Sequence, residues 1–396
     1  MANKKIPVTV LSGFLGSGKT TVLNHILETK RNQKVALIVN DMAEINVDGR
    51  QIGDKVSQTE EKLVQIQNGC ICCTLREDLF NETKKIADEG KYDYLVIESS
   101  GISEPLPVAA TFTFEMEDGK SLKDVAELDT MVTVVDAHNF VAEYNSKETL
   151  KDRKQEVSEE DERTVVDLMV DQLEFANVIL VNKSDLVTES ELKKVHQMIR
   201  SINAEAKIID TVHGNVELKE IMNTKLFDFD KAQEYPTWVK EMQRDSGHTP
   251  ETEEYGISSF VYKARRPFDP KKFHDFFKNP IKGLVRAKGF FWLCTRMDFA
   301  GNFQLAGKLK EYSLAGKWWS AIPKKEWPEF VEDVVNSEWQ EPYGDRRQEI
   351  VFIGIDLDKE KITQGLDKCL VDSKEPVEEF SKHKDPFPLW ELEMES

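Results

Sequence analysis

Cysteine is scarce in this chain, with five in 396 residues. That is far too few for a disulfide framework at this length. Positive charge is also short: 53 Lys and Arg face 72 Asp and Glu, a net charge of −19. Phosphate contacts need clustered cations, so the balance argues against nucleic acid as a main partner and against docking on anionic membrane. No apolar run approaches the ~18 residues of a membrane span. The polar Asn3-Lys4-Lys5 leads directly into an apolar stretch with no leader ahead of it. Cytosol, where thiols stay reduced, is the expected location. Histidines are few and scattered. His25, His138, His196, His213, His248, His274 and His383 form no pair at metal-ligand spacing.

What cysteine there is does not spread out. Three of the five sit in Cys70-Ile71-Cys72-Cys73. Clustered thiols in a reducing compartment point first to a metal, then to redox chemistry, and least to packing. Three thiolates leave a fourth position for a carboxylate, water or a partner, so a bound metal is transferable. The short apolar stretch Lys62–Ile66 leads into the cluster, and residues 75–87 follow as a helix with Leu75, Leu79, Ile86 and Ala87 near helical spacing. Thiols at a helix N-terminus meet free N–H groups and a favourable dipole, which lower their pKa.

The chain opens with Ile6–Ser12, a buried strand, then Gly13-Phe14-Leu15-Gly16-Ser17-Gly18-Lys19-Thr20, then a helix over 20–27. Strand, glycine loop and helix in that order make a phosphate-binding loop. Gly13, Gly16, Ser17, Gly18, Lys19, Thr20 and Thr21 are the expected phosphate-binding residues. Lys19 reaches the β- and γ-phosphates, and the Thr20 hydroxyl ligates Mg²⁺. A second strand, 34–39, delivers the acidic loop Asn40-Asp41-Met42-Ala43-Glu44, with Asp48 beyond it. A third, 92–97, ends in Glu98-Ser99-Ser100-Gly101, where Glu98 acts on Mg²⁺ or its waters and Gly101 reports the γ-phosphate. A fourth spans 129–135. The charged run 143–163 reads as a solvated face before a helix carrying Val165, Leu168, Met169 and Leu173. A fifth strand, 177–181, delivers Asn182-Lys183-Ser184-Asp185. The Asp185 carboxylate accepts from two guanine hydrogens that adenine does not offer. A sixth, 207–210, runs into Thr211-Val212-His213-Gly214-Asn215, which closes over the base. No side chain stands out as a catalytic base, so slow intrinsic turnover is expected.

The expected fold is α/β: a mostly parallel P-loop GTPase sheet flanked by helices, followed by a smaller α+β domain. The first domain spans 1–235 and a linker 236–255, rich in acids with Pro236, Gly247 and Pro250. The second spans 256–372, with an acidic, loosely ordered tail over 373–396. Strands are expected at 257–262, 284–293, 317–322 and 350–355. Helices are expected after Asp269-Pro270 (Phe273, Phe276, Phe277), over 327–335, and through Ile362, Leu366, Cys369 and Leu370. Trp292, Trp318, Trp319, Trp327 and Trp339 pack a core or form a partner surface, with core the favoured place.

Together these stretches resemble the CobW-type P-loop GTPases, a metallochaperone family. Gly13 to Thr20, Cys70 to Cys73, Glu98-Ser99-Ser100-Gly101 with Glu104-Pro105, and Asn182 to Asp185 occur in that family's order. The C-terminal region is similar to its C-terminal domain, so the likeness covers nearly the whole chain and is greatest to the bacterial zinc-homeostasis branch. It implies GTP hydrolysis with Mg²⁺, and a zinc or cobalt ion held by Cys70, Cys72, Cys73 and Glu44. The expected partners are client metalloenzymes that need zinc, with neither nucleic acid nor membrane; a homo-oligomer is allowed. Ser100 stands where the family commonly has Thr. The His-rich linker of many members is replaced by His248 alone, which speaks against storage rather than transfer.

Overall fold

Ile6–Ser12 (β1) is buried along almost its whole length, as a strand covered on both faces must be. The computed structural model describes residues 5–30, 33–40, 62–66, 74–112, 121–156, 158, 161–229, 256–328 and 331–390. The chain divides into two units, Met1–Pro236 and Thr237–Ser396. Among the described residues no helix is long and apolar enough to cross a membrane.

In the first unit, β1 is followed by helix Lys19–Thr29 (α1), β2 (Val35–Asn40), β3 (Lys62–Ile66), helix Thr74–Glu89 (α2) and β4 (Tyr94–Glu98). Then come the short helix Pro105–Ala110 (α3), β5 (Ala126–Asp136), helices Phe140–Tyr144 (α4) and Val165–Glu174 (α5), and β6 (Val178–Asn182). Helix Glu189–Ile202 (α6) and β7 (Lys207–Asp210) complete it. The strands form one seven-stranded sheet in the order β3-β2-β4-β1-β5-β6-β7, and each pairing is parallel. Side-chain alternation divides the core between the two faces. Val8, Val10, Leu95 and Ile97 pack with Leu79, Phe80 and Ile86 of α2. Leu11, Tyr94, Val96, Val132 and Val134 pack with Val22, Leu23 and Ile26 of α1. Because the strands are parallel, all their carboxyl ends lie along one sheet edge, where ligands bind in such folds. Register sets Leu11 against Glu98 and Asp136 against Asn182 on that edge.

The second unit is a five-stranded sheet in the order β11-β10-β9-β12-β8. Its strands are Ile257–Ala264 (β8), Leu284–Phe291 (β9), Phe299–Ala306 (β10), Leu309–Lys317 (β11) and Gln348–Ile355 (β12), all antiparallel. Helices Pro270–Phe276 (α7), Glu332–Ser337 (α8) and Lys359–Asp367 (α9) accompany it. As the Asp269-Pro270 pair suggests, Asp269 caps α7 by accepting from Lys272 N at 3.0 Å. The core is aromatic: Phe273 stacks on Phe268 at 4.5 Å between centroids, and Phe277 meets Phe303 at 4.5 Å. Trp292 and Trp318 are buried. Trp319, Trp327 and Trp339 instead stand half-buried in a row, with the Lys324 ammonium 5.5 Å from two of the rings.

Three expectations need correction here. Among the described residues, the helix expected over 327–335 is Glu332–Ser337, and Trp327 is extended instead, because Pro328 disfavours the helical conformation of the residue before it. The strand expected at 317–322 ends at Lys317, and Trp319–Ala321 forms a 3-10 turn. Residues 373–390 are not loosely ordered. Phe380 and Phe387 are buried. The Arg296 guanidinium holds Asp385 through two bonds of 2.8 and 3.0 Å and donates to Pro388 O at 2.8 Å.

His383 fastens the same segment. Its ring nitrogens meet Glu375 Oε1 at 2.5 Å and Asp269 Oδ2 at 3.0 Å, with Lys272 4.0 Å from the same Asp269 oxygen. The Glu375 contact is the largest influence and raises the His383 pKa; burial opposes it, and Asp269 adds to the rise, so the net shift is upward. A raised folded-state pKa stabilises fully below the unfolded value of about 6.5, and the gain is lost as pH climbs through the folded value. Hydrogen exchange in 373–390 should therefore accelerate above that pH by more than its chemical rate. The clasp contributes about 1 kcal/mol after screening by water. His383→Gln should flatten the excess, and an unchanged profile in that variant would refute the clasp.

Candidate nucleotide site

The glycine loop between β1 and α1 needs backbone that other residues resist. Gly18 has φ +105°, and a Cβ there would lie 2.3 Å from Asn182 Nδ2. That proximity is a working contact, since Asn182 Nδ2 donates to Ser17 O at 3.0 Å. Lys19 is 8% exposed and folds back over the loop, donating to Gly13 O at 2.8 Å and Phe14 O at 3.3 Å. Its ammonium is thus held at the loop by the loop's own carbonyls. Thr20 Oγ1 donates to Glu98 Oε1 at 3.2 Å. Thr21 is exposed one residue on.

Glu98 closes β4, 6% exposed. The following turn is locked to β1: Ser99 N and Ser99 Oγ both donate to Leu11 O, at 2.9 and 3.0 Å. Gly101 then comes so close to the loop that a Cβ would lie 2.9 Å from Leu15 N and 2.5 Å from Leu15 Cδ2. Glycine is needed there for the approach itself.

Asn182 ends β6 and ties three loops together. Besides donating to Ser17 O, it accepts from Gly214 N at 2.9 Å and Thr211 Oγ1 at 3.2 Å. Lys183, left-handed at φ +59°, donates to Gly16 O at 2.9 Å and Asp136 Oδ2 at 2.7 Å. Burial works to raise the Asp136 pKa, but Lys183 and Asn139 outweigh it and hold the carboxyl below its usual range. Ser184 Oγ donates to Thr211 O at 3.0 Å. Asp185 stands exposed on the following 3-10 turn, with Leu186 and Val212 also exposed.

These residues fit a Mg²⁺–nucleotide. The Ser17 hydroxyl is buried with no hydrogen-bond partner among the described residues, as a phosphate-facing group is before its ligand arrives. Thr20 and Glu98 supply hydroxyl and carboxylate oxygens side by side, the hard donors Mg²⁺ takes. The structure therefore brings Gly13, Gly16, Ser17, Gly18, Lys19, Thr20, Glu98, Gly101, Asn182, Lys183 and Asp185 to one sheet edge. Glu44, Cys70, Cys72 and Cys73, like Asp48 and His248, lie outside the described residues. Among the described residues no group of three or more His, Cys, Asp or Glu is arranged to hold a metal. Cys294 and Cys369 are buried, and burial pushes both thiols up to about 12.

Sequence reasoning missed three contributors: Asp136, Arg163 and Gln172. Gln172 lay in plain view as a polar residue inside the apolar stripe of Leu168, Met169 and Leu173. It is 1% exposed and donates to Gly101 O and Ser103 O, both at 3.2 Å.

Comparison with known proteins agrees with this geometry. Residues 7–210 match the family model described as CobW/HypB/UreG, nucleotide-binding domain. Residues 257–370 match the cobalamin synthesis protein cobW C-terminal domain. The chain is 46% identical over 387 residues to zinc-regulated GTPase metalloprotein activator 1 of Dictyostelium discoideum, covering 94% of this chain and 81% of that protein. It is 30% identical over 298 residues to the zinc chaperone CobW of a Sinorhizobium species, covering 72% and 81%. With the zinc chaperone YjiA of Escherichia coli K12 it shares 28% over 376 residues, covering 90% and 96%. The chain belongs to the CobW/HypB/UreG family of P-loop GTPases.

Proposed function

We propose that this protein is a GTP-driven zinc metallochaperone. It binds one zinc ion as cargo through Cys70, Cys72 and Cys73, with Glu44 as the fourth ligand, and passes it to a client metalloprotein in the cytosol. The observation that carries the reading is the pairing at the end of the sheet. Asn40 of β2 stands in register with Ile66 of β3, on the edge that also carries Lys19 and Glu98. Glu44 is four residues beyond the first and Cys70 four beyond the second, each a reach of at most about 14 Å. Cys73 directly precedes α2, whose N-terminus favours thiolate. The names of the relatives add zinc independently.

In turnover, Lys19 stabilises charge developing on the phosphates, and Asp185 selects guanine. Thr20 and Glu98 hold Mg²⁺, which when bound neutralises phosphate charge. Gly101 meets the glycine loop and registers whether the third phosphate is present. A change there is transmitted along the edge to the chain segments that follow β2 and β3.

The test is Zn²⁺ affinity by competition with a chromophoric chelator, for apo protein, with Mg²⁺-GDP, and with a Mg²⁺-bound non-hydrolysable GTP analogue. We expect at least about a tenfold difference between nucleotides, or about 1.4 kcal/mol of coupling, and its collapse in Cys72→Ala. Equal affinity in all states would overturn nucleotide-driven transfer and favour a zinc or redox sensor. The same titration with Co²⁺ and Fe²⁺ tests the cargo.

A further inference from the structure

The loop after β4 is held by side chains that donate to its carbonyls. Gln172 of α5 donates to Gly101 O and Ser103 O, each at 3.2 Å. Between them, Arg163 Nη1 donates to Ile102 O at 3.3 Å and to Glu104 Oε1 at 2.9 Å. Arg163 is itself held by Asp161 through two bonds of 2.8 Å. Three consecutive carbonyls, of Gly101, Ile102 and Ser103, are thus captured by two side chains. Gly101 also meets Leu15 of the glycine loop, close enough to exclude a Cβ.

Both bonds of Gln172 are buried, with Gln172 1% and Ser103 2% exposed, so water does not stand in for the amide. A buried amide with two good acceptors is also costly to displace, because both carbonyls and the amide lose partners.

We propose that Gln172 and Arg163 are positioning residues for GTP turnover. They fix the Gly101–Ser103 backbone at the height from which it answers to the third phosphate, so they set the preference for triphosphate over diphosphate. The idea rests on the nucleotide reading above, and not on the zinc reading. It explains why a glutamine occupies the apolar stripe of α5, and why an arginine at the end of the charged run carries a buried aspartate beside it.

The full-length chain is compared with Gln172→Met, which keeps volume but removes both donors, and Arg163→Lys, which keeps charge but loses the fork. GDP and non-hydrolysable GTP-analogue affinities, with Mg²⁺, are read by fluorescent-nucleotide titration. Gln172→Met should keep GDP affinity within about twofold while its analogue-to-GDP preference falls by at least about fivefold. Its kcat should fall by at least about tenfold with KM little changed, the signature of an interaction realised after binding. Hydrogen exchange should rise in 99–104 and stay unchanged in β1 and β5. Arg163→Lys should fall between wild type and Gln172→Met. Equal losses for GDP and the analogue, or wild-type kcat and preference in both variants, would overturn the proposal. If the variants behave as expected while wild-type zinc affinity ignores nucleotide, the clasp stands and the transport reading fails.

Discussion

Lys19→Ala is expected to lower GTP turnover by about a thousandfold, the cost of removing one preorganised charge donor at about 4 kcal/mol. The ammonium is already in place, bonded to Gly13 O at 2.8 Å, so no reorganisation dilutes its effect on charge developing in the transition state. Folding should hardly suffer. Lys19 is a buried cation at the N-terminus of α1, where the helix dipole opposes positive charge. Deleting it relieves that repulsion while the two carbonyls lose a donor, and these effects oppose each other. The expected pattern is therefore a collapse of kcat and of triphosphate affinity with a nearly unmoved melting temperature. Lys19→Arg should not rescue activity, since a planar guanidinium cannot occupy the same narrow site under the loop. Turnover within about tenfold of wild type in Lys19→Ala would show that charge stabilisation comes from elsewhere.

What the sequence announces and what it conceals follow from how far each interaction reaches. The strands of the first unit are legible because parallel strands buried on both faces read as near-continuous apolar runs, as Val35 to Val39 and Leu95 to Ile97 do. The glycine loop and Asn182–Asp185 are legible because their chemistry is local. The β10–β11 hairpin was not, although Phe303 and Leu305 alternate with Asn302 and Gln304 as strand residues do; the weak partner is β11, where Lys310, Glu311, Ser313 and Lys317 leave little apolar pattern, and the turn rests on Gly307 at φ +56°. Residues 373–390 were misread for a different reason. Phe380, Phe387 and Trp390 are thinly spaced among charges, and the anchor that orders them, Arg296, is 89 residues from Asp385. Gln172 and Arg163 were missed likewise, since their partners are backbone carbonyls 61 to 71 residues away. Composition has no means of signalling such a pairing. A lone polar residue in an apolar stripe is the trace it leaves.

Asp185→Asn should move the nucleotide preference from guanine to xanthine, lowering GDP affinity by about 10⁴-fold. The argument is one of donors and acceptors. Guanine presents N1–H and a 2-amino group, and a carboxylate accepts from both. An amide keeps one acceptor but turns a donor toward the 2-amino group. Xanthine carries an oxygen at that position and restores the match. The exchange should be confined to the base. Asp185 is exposed, while its loop is secured by neighbours the substitution leaves alone: Asn182 through Ser17 and Gly214, and Ser184 through Thr211. Competition of a fluorescent guanine nucleotide by GDP and XDP reads the swap directly. Xanthine-dependent hydrolysis at near wild-type kcat should accompany it, because Lys19, Thr20 and Glu98 are untouched. A variant that still binds GDP within about tenfold of wild type and ignores XDP would mean that the base is read elsewhere. The neighbouring loop of Thr211 to Asn215, already bonded to Asn182, would then be the place to look.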